Sequence, residues 1–251
     1  PLVFDGAWVP TLPARANGIM PFVANARVYL AEDITAVAPA FPYAYSFASQ
    51  SEFYKMVKEV YDVSLTLTPE QKNIALFWID QGNGVGYTPA GHDMLIVTQA
   101  MEQRGTNLAL AAEAYAKACI AERDATIVCF RSKYISSIMR PITFIQDHID
   151  ATWFPFIVTP PHPEYPAAHS FVTGSVMQAV TKVLGDKVKI TDHSYDFRGW
   201  SPRPFNSLLQ AAEEAGISRF YGGIHYLNSI KTGLNVGRVV GLRIGEIKLH
   251  D

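Results

Sequence analysis

The sequence predicts an all-α fold, a bundle of roughly seven or eight helices. Three observations lead there. Apolar residues recur at helical spacing, most clearly at Phe171, Val172, Val176, Met177, Val180, Val183 and Leu184. Helix starts are signalled by Thr68-Pro69-Glu70-Gln71 and Thr88-Pro89, where a capping threonine precedes proline at the first helical position. No segment alternates convincingly with the period of a strand, and no repeat is present.

The elements follow in order. Residues 1–48 lack a sustained period and hold Pro10, Pro13, Pro21, Pro39 and Pro42. They are expected to form an extended segment packed on a helical body that spans 49–251. Their aromatic and aliphatic content argues against disorder. Ser49-Gln50-Ser51-Glu52 reads as a capping box before a helix with Phe53, Met56, Val57, Val60 and Tyr61 on one face. The Thr68 helix carries Ile74, Leu76, Phe77 and Trp78 to Asp80, and Gly82, Gly84 and Gly86 break the pattern. The Thr88 helix runs to Gly105. Thr106 is expected to cap a long alanine-rich helix from Leu108 to Met139, which contains neither glycine nor proline. Residues 141–168 are proline-dense and read as loop, followed by the helix that begins at His169 and ends near Gly185. Residues 186–205 read as irregular. A short helix from about Asn206 is expected to stop at Gly216, and a last helix to start near Ser229. In that last helix Gly233, Gly237, Gly241 and Gly245 recur every four residues. With Arg238 and Arg243 beside it, the stripe reads as a packing surface rather than a membrane motif.

Composition narrows the function. The 251 residues suffice for one large domain or two small ones, and at 49% hydrophobic and 18% charged they can bury a sizeable core. A net charge of -2 argues against nucleic acid as the main partner. No apolar run reaches the length of a membrane span without a charge, so the chain is not expected to be transmembrane. It begins at Pro1 without a leader pattern and is expected to be a processed or trimmed product. Cys119 and Cys129 fall in one predicted helix, about 15 Å apart, too far for a disulfide.

Chemistry gathers in three stretches. Lys133 and Arg140 lie seven apart, two helical turns, which would place both cations on one face. Alone, that pair reads as a solvated basic face. Tyr165-Pro166-Ala167-Ala168-His169 puts a histidine at a helix N-terminus, where exposed amides and the dipole favour an anion. Ser218-Arg219 is followed six residues later by His225, with Gly222 and Gly223 between allowing close backbone approach. A lysine, two arginines and two histidines near helix ends suit an oxyanion: the cations neutralise its oxygens, one histidine bonds or attacks the central atom, and the other moves protons. Gly82-x-Gly84-x-Gly86 has no preceding strand and is not read as a nucleotide loop. His92 with Asp93, and Asp147 with His148, lack the spacing of a zinc site and read as surface pairs.

Lys133-x6-Arg140-Pro141, Pro166-Ala167-Ala168-His169 and Ser218-Arg219-x5-His225 together resemble the three-part signature of the vanadium-dependent haloperoxidase and type 2 phosphatidic acid phosphatase superfamily. The flanks resemble its bacterial haloperoxidase branch: Phe77-Trp78-x-Asp80, Thr88-Pro89-x-Gly91-His92, Pro161-His162-Pro163-Glu164-Tyr165 and Ala212-Glu213-Glu214. The resemblance covers most of residues 50–245. It implies a helical bundle of that type, lacking helices that relatives carry upstream. It implies that Lys133, Arg140 and Arg219 hold the oxygens of vanadate or phosphate, with backbone amides around Ala168. His225 would be the axial vanadium ligand, or the nucleophile of a phosphatase. His169 would be the acid–base residue. His162 falls where such enzymes influence halide handling, or is an ordinary loop histidine. Asp80, or Gln81 in its place, would orient Arg219.

Two departures from the family pattern matter: Pro166-Ala167-Ala168-His169 where Pro-Ser-Gly-His is usual, and Ser229. Ala167 stands where a serine is usual and lacks a hydroxyl donor, a loss of about 1–3 kcal/mol in anion binding. Ser229 stands where an aspartate commonly orients the histidine four residues before it. The expected function is a vanadate-dependent haloperoxidase oxidising halide with hydrogen peroxide. The alternatives are a phosphatase acting on a phosphomonoester or lipid phosphate through a phosphohistidine at His225, and a weakened anion-binding relic. The partners are thus small molecules, with no nucleic acid; a homo-oligomer is left open. By resemblance the protein would be exported, to the periplasm or beyond.

Overall fold

A computed structural model describes residues 3–11, 13, 16–29, 39–80 and 85–249. The expected break at Gly82 and Gly84, and the alternative residue Gln81, lie outside them. The elements in chain order are α1 (Glu52–Ser64), α2 (Pro69–Phe77), α3 (Pro89–Arg104), α4 (Leu108–Ser136), α5 (Pro141–His148), α6 (Ala168–Leu184), β1 (Ile190–Asp192), β2 (Arg203–Phe205), α7 (Leu208–Tyr221) and α8 (Leu227–Gly245). The all-α expectation holds, with one small addition. β1 and β2 pair antiparallel, Ile190 opposite Phe205 and Asp192 opposite Arg203, inside the stretch read as irregular. At three residues each, the strands are too short to show a period.

The centre of the bundle is α6, buried at every position from Ser170 to Thr181. A helix that is apolar all round must be enclosed, and α4, α7 and α8 enclose it. The glycine stripe makes one of those contacts. A Cβ at Gly237 would strike the carbonyl of Phe171, one at Gly241 that of Ser175, and one at Gly233 would lie 2.7 Å from the carbonyl of Ala167. The two helices therefore meet backbone to backbone, which confirms the packing reading.

Several boundaries differ for identifiable reasons. Ser51, not Ser49, caps α1 and accepts from the Tyr54 amide, because its own amide first closes a turn on Ala48. Asn107, not Thr106, caps α4; the Thr106 amide completes the cap of α3 by bonding Met101 O, after Gly105 turns left-handed at φ +66°. α4 ends at Ser136, where Ser137 takes φ +47°. The proline at 141, read as the start of a loop, instead opens α5 at its first position. α7 runs through Gly216 to Tyr221. That glycine is a contact, since a Cβ there would sit 3.0 Å from Ser170 Oγ and 3.2 Å from Ile230.

Described parts of the first 48 residues run along the body. The Trp8 amide bonds Ser137 O, Ile19 bonds Pro161 O, and Arg131 donates to Ala24 O. Cys119 and Cys129 are both free and both on α4. No helix among the described residues is long and apolar enough to cross a membrane.

Candidate active site

The cations come together, though not by the route the spacing suggested. Lys133 lies in the last turn of α4, but Arg140 lies beyond it, as the residue capping α5. Nor is the pair solvated: both side chains are fully buried, and Arg219 is 2% exposed. Each is held by backbone carbonyls. Lys133 Nζ donates to Pro163 O and Glu164 O, both at 2.9 Å. Arg140 donates through Nε to His162 O at 2.9 Å and through Nη1 to Ile224 O at 2.8 Å. Arg219, near the end of α7, donates to Ala75 O and Trp78 O at the C-terminus of α2, the end of a helix that attracts cations.

The loop before α6 supplies half of these carbonyls, and close packing sets its path. A Cβ at Gly222 would strike Ile157, and Gly223, at φ +76°, lies against Pro155 and Trp153. The close approach expected at the two glycines is thus made by this loop. Among the described residues no carboxylate lies within 4 Å of Lys133, Arg140 or Arg219, whereas other cations of the chain do have such partners. Burying cations without counter-charges is costly. The cost shows in Lys133, whose pKa burial and the neighbouring Arg140 bring down to about 7. This donor set suits an oxyanion.

His225 borders the cradle. Its Nδ1 lies 2.7 Å from Glu164 Oε1, and its Nε2 lies 3.0 Å from Arg140 Nη1. The arginine can only donate, so Nε2 accepts, and the proton of the neutral ring sits on Nδ1 facing the carboxylate. Burial, with Arg140 and Lys133 nearby, holds the His225 pKa well below the usual histidine range. The result is a neutral imidazole whose Nε2 lone pair points among the cations, as coordination or nucleophilic attack requires.

Glu164 had drawn attention only as part of a flanking match, yet it is the carboxylate that serves His225. It also accepts from the Tyr226 amide at 3.0 Å and from Ser229 Oγ at 2.5 Å. Burial pushes its pKa up, and these donors with Lys133 and Arg140 pull it back. Ser229, read as a weak replacement for an aspartate, thus steadies a carboxylate that arrives from the α6 side. The only hint in the sequence was an acidic residue isolated among prolines and aromatics.

His169 occupies the second position of α6, with its side chain 15% exposed. Its Nε2 is 3.4 Å from Asp80 Oδ2 without forming a hydrogen bond. Burial and Arg219 lower its pKa to about 4, so the ring is neutral near pH 7. Asp80 does not hydrogen-bond Arg219, whose donors go to Ser218 and the α2 carbonyls; it acts on that arginine only through space. Its partners are His92, Tyr195 and His169. His92 and Asp93, read as a surface pair, are both buried, while Asp147 and His148 are exposed as expected. Ala167 caps α6 without a side-chain bond, and its amide bonds Ser229 O at 3.2 Å. The amides of the next residues, Ala168 first, are those a helix start leaves unpaired. His162 is no ordinary loop histidine: it is buried, 3.0 Å from Arg140 Nη2, with its ring beside Phe130.

Comparison with known proteins identifies the family. Residues 113–247, more than half of the chain, match the family model of the VCPO second helical-bundle domain. The structure is similar to that of the first bacterial vanadium-dependent iodoperoxidase to be crystallised. The TM-score is 0.90 at 40% identity, over 95% of this chain and 60% of that one. Apo and holo forms of a bacterial vanadium-dependent chloroperoxidase share the fold, with TM-scores of 0.74 and 0.70 at 17% and 16% identity. These cover 92% of this chain and 56% and 55% of those. The chain thus spans less than two thirds of the length of each. No curated protein sequence matches. By its family model, its fold and its motifs, the chain belongs to the vanadium haloperoxidase family, within the superfamily shared with the type 2 phosphatidic acid phosphatases.

Proposed function

We propose that this protein binds vanadate in the Lys133–Arg140–Arg219 cradle and oxidises halide, iodide foremost, with hydrogen peroxide. The observation that carries the proposal is the set of three buried cations without a carboxylate within 4 Å, beside a neutral His225 whose Nε2 faces them. Iodide is favoured by the 40% identity to an iodoperoxidase. Export is proposed with it, on the family resemblance alone.

Vanadate, when bound, would supply a Lewis acid that activates hydrogen peroxide for the two-electron oxidation of a halide. The residues of the chain do the rest. Lys133, Arg140 and Arg219 hold the oxygens, with the Ala168 amide at the start of α6. His225 would ligate through Nε2, and Glu164 fixes the Nδ1 proton so that this tautomer persists. His169, neutral and at the open side, takes the proton that peroxide gives up, at the ring nitrogen not turned toward Asp80. His162, packed on Arg140, borders the halide's approach. Burial of the whole set excludes water and strengthens each contact.

The His225–Glu164 pair also suits a nucleophile, which keeps a phosphatase as the second reading. One experiment separates them. The protein and its His225→Ala variant are titrated with orthovanadate by calorimetry, then assayed for iodide and bromide oxidation and for phosphate-ester hydrolysis. Binding in the micromolar range (roughly -8 kcal/mol), lost in the variant, with iodide oxidised faster than bromide, is expected. Bound vanadate with no halide oxidation overturns the proposal, and ester turnover that vanadate inhibits selects the phosphatase.

A further inference from the structure

His92 has no part in the scheme above, yet its surroundings are highly organised. It lies on α3, fully buried, with both ring nitrogens on carboxylates: Nδ1 is 2.8 Å from Asp80 Oδ1 and Nε2 is 2.9 Å from Asp192 Oδ2. A neutral imidazole donates from only one nitrogen; two acceptors are satisfied together only by the imidazolium. Trp78 stacks on the ring at 4.6 Å between centroids, and Tyr195 crosses its edge. Tyr195 also donates to Asp80 Oδ1 at 2.7 Å.

Asp192 is itself fixed. The Ser194 amide and hydroxyl and Gln99 Nε2 all donate to its Oδ1, leaving Oδ2 for His92. The β1–β2 pair, which gives the bundle its only strands among the described residues, delivers this residue. Asp80, at the other end, holds a left-handed backbone at φ +42° just past α2, a conformation that aspartate tolerates better than most residues. The chain of contacts is therefore Asp192, His92, Asp80 and then His169. Its last link is the one at the site.

We propose that His92, clamped as an imidazolium between Asp192 and Asp80, is a positioning residue that limits how strongly Asp80 draws a proton onto His169. The inference rests on the proposed role of His169 as the acid–base residue, but its test does not require vanadate. The charged and titratable groups acting on His169 come from four elements: Asp80 after α2, His92 on α3, Arg219 on α7 and His162 on the preceding loop. Arg219 and His92 hold its proton affinity down, and Asp80 raises it. Removing the His92 charge takes away one repulsion and leaves Tyr195 as the donor on Asp80 Oδ1, and both effects favour His169 protonation.

The test is an NMR titration of the vanadate-free protein with labelled histidine, following the Cε1–H signals of the seven histidines; His169→Asn assigns the resonance. In His92→Gln the His169 midpoint is expected to rise by about one pH unit or more. Asp192→Asn, which leaves the His92 charge to Asp80 alone, is expected to lower it. An unchanged midpoint in a His92→Gln protein with native circular dichroism and phosphate binding overturns the proposal and leaves His92 a structural residue. If His92→Gln does not fold, Asp192→Asn decides, and an unchanged or raised midpoint there overturns the proposal. Phosphate titration of the wild type runs alongside. Failure to bind there counts against the proposed function, while the His169 shift still reports on His92.

Discussion

The site has two histidines and each is backed by a buried carboxylate, but the pairs are built differently. Glu164 sits 2.7 Å from His225, and its other partners are the neutral Ser229 hydroxyl and Tyr226 amide. His225 is the only ring it bonds, though Lys133 and Arg140 also act on its charge. Asp80 stands 3.4 Å from His169, and its charge is shared with His92 and Tyr195. What a carboxylate does for a histidine thus depends on what else it touches. In the proposed mechanism His225 keeps one tautomer while it holds a ligand, which favours a short contact. There His169 gains and loses a proton, which a longer, shared contact permits.

Breaking the shorter contact should have the largest effect. Glu164→Gln removes the charge and leaves the shape, so Nδ1 no longer meets a carboxylate and the Nε2 lone pair weakens. Vanadate affinity is expected to fall about 10- to 100-fold, the usual consequence of losing such a support, with the fold retained by circular dichroism. Ser229→Asp sharpens the comparison. It restores the residue common in the family, yet places a second carboxylate at a hydroxyl now 2.5 Å from Glu164 Oε2. Two carboxylates at that distance cannot both ionise easily. Calorimetry should show roughly fivefold weaker binding (about 1 kcal/mol), recovered in Ser229→Asp with Glu164→Gln. A gain from the single substitution would show that Glu164 does not serve His225.

The cradle between the two pairs makes a pH prediction. Lys133 in the free protein titrates at about 7, and a bound anion would keep it protonated. Binding therefore takes up no proton well below pH 7 and takes one up above it. Affinity for an anion of constant charge, such as tungstate, should be flat at acid pH and fall up to about tenfold per pH unit above 7. Calorimetry in two buffers of different ionisation enthalpy measures the proton directly. In Lys133→Met the uptake should vanish and the affinity should be uniformly low.

The fold and the residues that gather at the candidate site were legible in the sequence, and the residues behind them were not. Helical spacing and threonine caps mark α2, α3 and α6 because the signals are local. Lys133, Arg140, His169, Arg219 and His225 stand out as charged residues beside prolines and glycines. Asp192 shows no signal because a three-residue strand has no measurable period, and its partner His92 lies 100 residues away. Glu164 was misjudged because the carboxylate of His225 was sought one helical turn beyond it, at Ser229. The structure delivers that carboxylate from the loop before α6, a contact only tertiary packing makes.

Ala167→Ser should have the smallest effect, and it tests whether the two walls share the helix start between them. Ala167 caps α6 with no side-chain bond, at φ -67° and ψ 122°, angles that a capping serine adopts without change. A hydroxyl there could accept from an amide of the first turn and donate its proton to a bound oxygen at the same time. Capping should raise stability by about 0.5–2 kcal/mol. The extra donor should tighten vanadate binding by up to about tenfold. The site is fully buried at this residue, and Gly233 packs so closely that a Cβ there would lie 2.7 Å from the Ala167 carbonyl, so the added oxygen must point away from that contact. A higher melting temperature with unchanged vanadate affinity would mean that the hydroxyl caps the helix and does not reach the anion. The donors on the His169 side would then be the backbone amides alone.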